Sequence, residues 1–392
     1  NAFNYSNSRD FIIANSLTYE LNNPNSDDVN SELNELKLTA FLSNELDRPI
    51  IFVEGVAFDA LSGLRDAYLR LTRPNGSNLD SWLDEESVVG QASTYFSKEI
   101  PLPIVYEPGS YSLDFLMLTD YAGNQYRYNS SSVNNVEGDV ISQINIFYPD
   151  SETSTENTIS GANTNDYIFG ANRSNDTLSG LGGSDYIHSG DGDDIVNAGD
   201  GDDTVIGGSG LGDDIYLGGE GNDKLVFMSA NTPIEINLEI GKASGTDIGS
   251  DVFAGFESFV AGKSADILVS DGADIQLDGY LGNDIFVLQQ NETVKGGEGD
   301  DEFIIDTIDN NVAINILDYE AGETILLSTA LQDITINIVE FSTNLDETVA
   351  AISTDGVFYT SSNTESYLIV SEASFKDTIT FSNAIALRDI NL

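Results

Sequence analysis

The residues in this chain whose types and spacing suggest chemistry are aspartates that follow glycine-rich turns. Between Gly180 and Phe227 one short unit recurs, as GLGGSDYIH, SGDGDDIVN, AGDGDDTVI, GGSGLGDDIYL and GGEGNDKLVF. Each copy has a glycine-rich turn, an Asp, one spacer residue and a large apolar residue, a pattern typical of calcium-binding parallel β-rolls. Calcium prefers carboxylate and carbonyl oxygens, and a tight glycine turn carrying one Asp supplies both. The pattern therefore predicts calcium sites at the turns.

Two kinds of residue are predicted to hold the ions. The carboxylates stand two positions before an apolar residue, in Asp166, Asp176, Asp185, Asp194, Asp203, Asp214, Asp223, Asp284 and Asp301. The turn glycines are Gly180, Gly182, Gly190, Gly192, Gly199, Gly201, Gly208, Gly210, Gly219, Gly221, Gly297 and Gly299. Together they predict about five or more calcium ions, the only cofactor that the sequence indicates.

The length of the unit predicts which copies are neighbours. A unit of this length contains one turn and one short strand, so two units bring the chain round once and calcium should bridge a copy to the second copy after it. The resulting pairs are Asp166 with Asp185, Asp176 with Asp194, Asp185 with Asp203, Asp194 with Asp214, and Asp203 with Asp223. The longer copy GGSGLGDDIYL is predicted to bulge Leu211 and Gly212 outward to keep phase.

With these repeats, residues 159 to 306 resemble the RTX (repeats-in-toxin) family, whose members bacteria export by type I secretion. The early copies SGANTNDYIF and GANRSNDTLS depart from the pattern, since Asn replaces Gly. In residues 233 to 277 we expect strands to continue while most metal sites do not. The segment NNVAINILDYEAGETILLS resembles the end of many such rolls, and the last residues, ITFSNAIALRDINL, look compatible with an uncleaved export signal.

Composition limits the partners. The chain has 392 residues, 66 acidic and 15 basic, with a net charge of −51. This acidity disfavours nucleic acid and anionic membrane surfaces, whereas it suits divalent cations. The chain has no cysteine, so disulfides and thiolate chemistry are excluded, and no apolar run is long enough for a membrane span. Because it starts at Asn1 without a charged and apolar leader, it is predicted to be a processed or excised product.

Catalytic groups are scarce, so the chain is predicted not to be an enzyme. His188 is the single histidine and is expected to flank a strand of the roll; without a second His or any Cys, a catalytic zinc site of the usual type is nearly excluded. Trp82, in SNLDSWLDEES, is placed in a loop or short helix, as a core residue in preference to a ligand platform. The turn from Asp120 to Asn124 is interpreted as a turn device in preference to a calcium ligand set.

The predicted fold is all-β, with an antiparallel immunoglobulin-like β-sandwich followed by a parallel β-roll with a C-terminal β cap. The domains are residues 1–34 (arm), 35–148 (sandwich), 149–158 (linker), 159–306 (roll) and 307–392 (cap with export signal). In the sandwich, Tyr111, Leu113, Phe115 and Met117 are predicted to share one strand face. In the cap, GVFYTSSNTESYLIVS has the pattern of a hairpin.

These features leave more than one function open. The first hypothesis is a secreted, noncatalytic structural or adhesive protein of a surface layer, adhesin or biofilm matrix, whose roll folds on extracellular calcium and which self-associates or contacts surface polysaccharide. The second is an accessory region of a secreted hydrolase, in which the roll assists export and folding and the sandwich binds polysaccharide. A self-contained carbohydrate lyase or hydrolase is a third reading.

Overall fold

The computed structural model is all-β and divides into two compact units, Asn1–Ile146 and Phe147–Leu392. It describes residues 10–13, 17–20, 31–43, 48–59, 63–85, 93–102, 107–129, 132, 143–149, 155–207, 211–306, 313–319, 323–327, 335–338, 352–353, 357–362 and 365–370. No helix in these ranges is long and apolar enough to cross a membrane.

The first unit is antiparallel throughout. Its strands are β1 (Asp10–Ile13), β2 (Leu17–Glu20), β3 (Glu32–Ser43), β4 (Arg48–Phe58), β5 (Leu64–Thr72), β6 (Asn78–Glu85), β7 (Ser93–Pro101), β8 (Gly109–Asp120), β9 (Gln125–Asn129) and β10 (Gln143–Phe147). Strand β4 pairs with β3 and β7, while β8 pairs with β5, β9 and β10. Strand β6 pairs with both β5 and β7 and so joins the two sets. The antiparallel prediction is confirmed, and the immunoglobulin-like topology stays a prediction.

A bulge in β8 changes which residues face the core. The register against β5 shifts between Arg70 and Leu71, so that Arg70 pairs with Phe115 while Leu71 pairs with Leu113. Because side chains alternate along a strand, one extra residue at Asp114 moves every later side chain to the other face. Leu113 and Leu116 are buried in the core, and Phe115 lies beside Arg70 on the opposite face. The prediction that Tyr111, Leu113, Phe115 and Met117 share one face is therefore wrong after Leu113.

Trp82 is also placed differently from the prediction. It lies on β6, paired with Tyr68 of β5, and 58% of its surface is exposed. The turn after β8 agrees with the turn-device interpretation, because the buried Asp120 accepts hydrogen bonds from the backbone and side-chain amides of Asn124, both at 2.7 Å. Both carboxylate oxygens of Asp120 are therefore used within the turn.

The second unit is dominated by parallel strands that form two rows. Its first strands are β11 (Glu156–Ser160), β12 (Asp166–Phe169), β13 (Asn175–Gly182), β14 (Tyr186–His188), β15 (Ile195–Asp200), β16 (Thr204–Ile206), β17 (Ile215–Glu220) and β18 (Lys224–Val226). Even-numbered strands pair in parallel with even ones and odd with odd, as in β14 with β16 and β15 with β17. Each strand therefore lies beside the second strand after it, and the predicted parallel roll is confirmed.

The parallel rows continue well past the regular repeats. The following strands are β19 (Ile234–Asn237), β20 (Lys242–Gly245), β21 (Gly249–Ala254), β22 (Ser258–Val260), β23 (Ile267–Val269), β24 (Gln276–Asp278), β25 (Ile285–Leu288), β26 (Thr293–Lys295), β27 (Glu302–Ile305), β28 (Ala313–Ile316), β29 (Thr324–Leu327), β30 (Thr335–Ile338), β31 (Ile352–Ser353), β32 (Val357–Ser362) and β33 (Glu365–Val370). Parallel pairing extends from β11, which begins in the predicted linker, to β31, within the predicted cap, and is interrupted where β20 pairs antiparallel with β19 and β21. Strands β32 and β33 form the predicted hairpin, while the segment ITFSNAIALRDINL lies outside the described residues.

The interior of the roll is a stack of apolar side chains that alternate with exposed positions. Along one row, Ile168, Ile187, Val205 and Leu225 lie in register and are fully buried. Each belongs to the acid, spacer, apolar pattern of the sequence, because the apolar residue two places after the acid points into the same side of the coil. The stack therefore holds the preceding acidic residue at the edge of the core, where the chain turns.

Candidate metal sites at the corners of the roll

The acidic residue of each repeat forms a hydrogen-bonded ladder with its counterpart in the next coil. Asp166, Asp185 and Asp203 donate their backbone N–H groups to Oδ1 of Asp185, Asp203 and Asp223, at 2.8, 2.7 and 2.9 Å. In the other row, Asp176 and Asp194 donate in the same way to Asp194 and Asp214, both at 2.7 Å. The structure thus stacks the pairs that periodicity predicted. Their role as calcium ligands stays a prediction.

The second carboxylate oxygen separates the ladder residues into two groups. In one group Oδ2 is buried and makes no hydrogen bond to any described residue. This group consists of Asp185, Asp194, Asp203, Asp223, Asp251, Asp284 and Asp301. We call these residues the open carboxylates. A buried carboxylate oxygen without a partner is costly, so such an atom indicates a cation or a proton at that point.

In the other group a protein donor already reaches Oδ2. The turn N–H groups of Ala162, Ala171 and Gly262 donate to Oδ2 of Asp166, Asp176 and Asp266, at 2.6, 2.8 and 2.7 Å. The hydroxyl of Tyr216, buried in the core, donates to Oδ2 of Asp214 at 2.6 Å. We call these residues the closed carboxylates. Because their lone pairs are used by the protein, they are weaker candidates for an ion than the sequence pattern predicted.

The residue two positions before the acid separates the open carboxylates from three of the four closed ones; the exception is Asp214, which follows Gly212 and is closed by Tyr216. Before every open carboxylate this residue is a glycine with positive φ, in Gly183, Gly192, Gly201, Gly221, Gly249, Gly282 and Gly299. Before Asp166, Asp176 and Asp266 it is Thr164, Ser174 and Ser264. A Cβ on Gly201 or Gly221 would clash with a backbone carbonyl of the coil below, so only glycine permits this close stacking of turns.

The open corners fit calcium by the chemistry of their donors. They combine carboxylate oxygens with closely stacked glycine turns, and calcium takes roughly 6 to 8 oxygen ligands of both kinds. No group of three or more His, Cys, Asp or Glu suited to a metal occurs in the described ranges. Carbonyls would therefore have to supply much of each ligand set, with Asp185, Asp194, Asp203, Asp223, Asp251, Asp284 and Asp301 supplying the charge.

Burial also alters the protonation of these carboxylates when no metal neutralises them. Desolvation, with smaller contributions from the acids stacked above and below, raises the pKa of Asp185 to about 7 and that of Asp203 to about 6, from an ordinary value of 3.8. It raises the pKa of Asp194, Asp251 and Asp284 to about 8. Protons and calcium should therefore compete for the same oxygens.

This competition predicts an unusual pH dependence for the metal-free roll. A carboxyl whose folded pKa is raised stabilises the fold below its unfolded pKa, and this stabilisation is lost as pH rises through the folded value. In EGTA, these groups should therefore stabilise the roll most below about pH 4, and their contribution should fall as pH rises from about 4 to about 8. With saturating calcium the fall should be absent, because the ion binds the deprotonated form. Differential scanning calorimetry across this range tests it; equal profiles with and without calcium would contradict it.

The glycine positions require corrections in two copies. Gly180 and Gly182 do not have positive φ; in that copy Leu181 and Gly183 do, at 77° and 115°. In the long copy Leu211 is exposed as predicted, but Gly212 stacks on Gly192, and Asp213 donates its N–H to Asp193 Oδ1 at 3.0 Å. Gly212 is thus part of the turn. Gly208 and Gly210 lie outside the described residues.

The remaining predicted turn glycines agree with the pattern. Positive φ is found at Gly190, Gly192, Gly199, Gly201, Gly219, Gly221, Gly297 and Gly299.

Leu181 is a strained residue at a position where the neighbouring repeats have glycine. Its φ of 77° costs an L-residue with a Cβ about 1 to 2 kcal/mol, and its side chain is 47% exposed, so it has little packing to lose. Leu181→Gly should therefore raise the free energy of unfolding of the calcium-loaded protein by about 0.5 to 1 kcal/mol, since the unfolded chain gains entropy as well. Urea denaturation measures it, with Leu217→Gly, at an exposed residue of ordinary φ, as the destabilised control.

Several ladder residues were missed by the sequence reading. Asp251 and Glu257 continue the two rows by accepting the N–H groups of Asp214 and Asp223, at 3.0 and 2.9 Å, and Asp266 accepts that of Ile234 at 2.8 Å. All lie in the stretch expected to lack most metal sites, and Asp251 is an open carboxylate. The signal was present, because the apolar residue follows two places later in SDVF, FESF and SADIL.

His188 lies in the middle of the roll, as expected. It is in register with Phe169 and Ile206 of the neighbouring strands. Burial lowers its pKa to about 4, so the imidazole is neutral at physiological pH. This environment matches the structural role that the sequence favoured.

A roll of parallel strands with stacked acidic corners defines a class of protein, the calcium-binding β-rolls. Within it, this chain carries an RTX β-roll: residues 171–205 and 190–225 match the family model described as RTX calcium-binding nonapeptide repeat (4 copies). The repeats bind calcium, and RTX repeat proteins are generally secreted.

The chain has little similarity to whole proteins of known sequence or structure. No curated protein sequence matches this chain. Among solved structures it is similar to the extracellular lipase LipA from Serratia marcescens, at 14% identity, over 55% of this chain and 37% of the lipase chain, with a TM-score of 0.18. The match spans less than two thirds of the lipase, and a TM-score this low carries no argument about function.

Proposed function

We propose that this chain is a secreted, noncatalytic structural or adhesive protein, of a surface layer, adhesin or biofilm matrix, whose roll folds when it binds extracellular calcium. The observation that carries the proposal is the row of open carboxylates, whose buried Oδ2 atoms have no partner among the described residues and suit a calcium ion. With a net charge of −51, the metal-free chain repels itself, and calcium removes this repulsion where the acids are stacked. Extracellular calcium-binding modules have Kd values of about 10⁻⁴ to 10⁻³ M, so such a roll stays open in a low-calcium cytosol and folds outside.

Electron microscopy of the purified chain with and without calcium tests the structural role. A lattice or filament that forms with calcium and dissolves in chelator is the expected result. A structural role would be contradicted by assemblies that persist in chelator. It would also be contradicted by isolated particles under all conditions at high protein concentration. Neither result would affect the calcium-dependent folding of the roll, which is measured separately.

A second candidate is the accessory region of a secreted hydrolase whose first unit binds polysaccharide. One observation favours it: the most exposed large aromatic side chain of the described residues, Trp82, lies on strand β6 of that unit and not in a core. A catalytic domain encoded upstream of Asn1 in the same gene would support this candidate over the first.

A further inference from the structure

One face of the first unit presents a continuous row of aromatic and cationic side chains, which we call the aromatic face. It runs across strands β6, β5, β8 and β9 and consists of Trp82, Tyr68, Phe115, Met117, Arg70 and Arg127, with Asp80 beside Arg70. The Trp82 and Tyr68 rings lie 4.9 Å apart, and the Tyr68 and Phe115 rings 5.9 Å. Four adjacent strands about 4.8 Å apart give the face a width of about 14 Å.

The aromatic face contains large apolar side chains that do not pack in the core of the unit. After the bulge in β8, Phe115 is buried beneath the guanidinium groups of Arg70 and Arg127, while Trp82 faces solvent from the middle of a strand. Trp is large and usually well buried, so one that is 58% exposed on a strand is unusual. Its indole N–H donates to no described residue and is available to a ligand.

The charges on the face differ from those of the chain as a whole. Arg70 donates to Asp80 from Nε at 2.5 Å and from Nη2 at 3.3 Å, so these two form a neutral pair. The Arg127 guanidinium lies 3.7 Å over the Phe115 ring, and no carboxylate of the described residues is within ion-pair distance of it. In a chain with 15 basic and 66 acidic residues, Arg127 is thus an exposed guanidinium without an ionic partner among the described residues, next to an aromatic row.

We propose that the aromatic face binds a saccharide that carries carboxylates, that is, a chain of hexuronic acid units. The apolar C–H faces of sugar rings stack on flat aromatic side chains such as Trp82 and Tyr68. The guanidinium of Arg127 pairs with the sugar carboxylate in a fork geometry. Asp80, together with Arg70, supplies an acceptor and donors for the hydroxyl groups. Salt at about 0.1 M screens repulsion from acids that lie farther than about 10 Å from the face.

This inference deepens the second candidate function and does not depend on calcium ligands in the roll. Short oligogalacturonates should bind the full-length chain in isothermal titration calorimetry with calcium present. Trp82→Ala should weaken binding by about tenfold or more, as truncation of an aromatic anchor does. Arg127→Gln should weaken binding of the acidic sugar while leaving the weak binding of a neutral oligosaccharide of the same length unchanged. Tyr95→Ala and Lys98→Gln, on strand β7 of the other set, are the matched controls and should bind as the original chain does.

Each outcome decides the proposal. Equal affinity for neutral and acidic sugars would overturn the role of Arg127, and so the class of ligand. A preference for a single-stranded oligonucleotide, whose bases and phosphates could use the same groups, would overturn the saccharide. No binding at millimolar oligosaccharide, or equal loss in the controls, would overturn the site. Failure to bind the saccharide would not contradict the calcium-dependent folding of the roll. Circular dichroism of each variant with and without calcium measures that folding separately.

Discussion

Chelation of calcium with EGTA is expected to unfold the roll, with loss of most of its β signal in far-UV circular dichroism and an increase in hydrodynamic radius. Calcium at about ten times its Kd adds roughly 1.4 kcal/mol per independent site, so five sites would add about 7 kcal/mol. The whole stability of a domain is about 5 to 15 kcal/mol. Without the ions, the open carboxylates must also stay buried with an oxygen that lacks a partner. Both effects act in the same direction.

The choice of ion separates specific binding from simple screening. Magnesium demands a near-octahedral shell at about 2.0 to 2.1 Å and keeps its waters, so it should not restore the signal at the same concentration. Sodium chloride at matched ionic strength screens repulsion between exposed acids but cannot satisfy a buried Oδ2. Recovery with calcium alone is the expected result. A chain that keeps its spectrum and radius unchanged in excess EGTA would contradict both the ladder and the proposed function.

The roll was predictable because its repeat specifies local and long-range structure with the same residues. An acid, a spacer and an apolar residue fix one strand face, and the shared length of the units fixes the register, so the ladder pairs followed from counting. The prediction failed where a repeat has an irregular length or composition, because there the residue that occupies each turn position could not be assigned. Leu181 adopts positive φ although it is not a glycine, and Gly212 takes the place of a turn residue in a copy with extra residues. The amino-acid sequence alone predicts neither feature.

The division between open and closed carboxylates could be predicted only in part. The glycine two positions before the acid is a sequence signal, and it distinguishes Asp203 from Asp176 without any coordinates. The hydroxyl of Tyr216 closing Asp214 is not such a signal, since the position normally holds any large apolar residue. In the first unit, the bulge at Asp114 and the exposure of Trp82 depend on pairing with other strands, which periodicity within one strand does not reveal.

The second large effect is expected from exchanging one oxygen for an amide at an open corner. In Asp203→Asn, the remaining side-chain oxygen can still accept the N–H of Asp185, so the ladder is preserved. In EGTA this variant should be more stable than the original chain at pH 8, because it removes a buried charge that has no partner. With calcium it should be less stable, and the calcium concentration at half-folding should rise by about tenfold, since ion affinity depends on the number of charged ligands.

Asp176→Asn provides the matched control at a closed corner, and in EGTA at pH 8 it should lower stability where Asp203→Asn raises it. Oδ2 of Asp176 accepts the N–H of Ala171, and Oδ1 accepts the backbone and side-chain amides of Asn157, at 2.8, 3.1 and 2.8 Å. An asparagine there must turn its NH₂ group toward a donor, which costs about 1 to 3 kcal/mol with or without calcium. Thermal denaturation of both variants in EGTA and in calcium gives the comparison. If Asp203→Asn were destabilising in EGTA as well, its Oδ2 would have a protein partner, and the open corners would not be calcium sites.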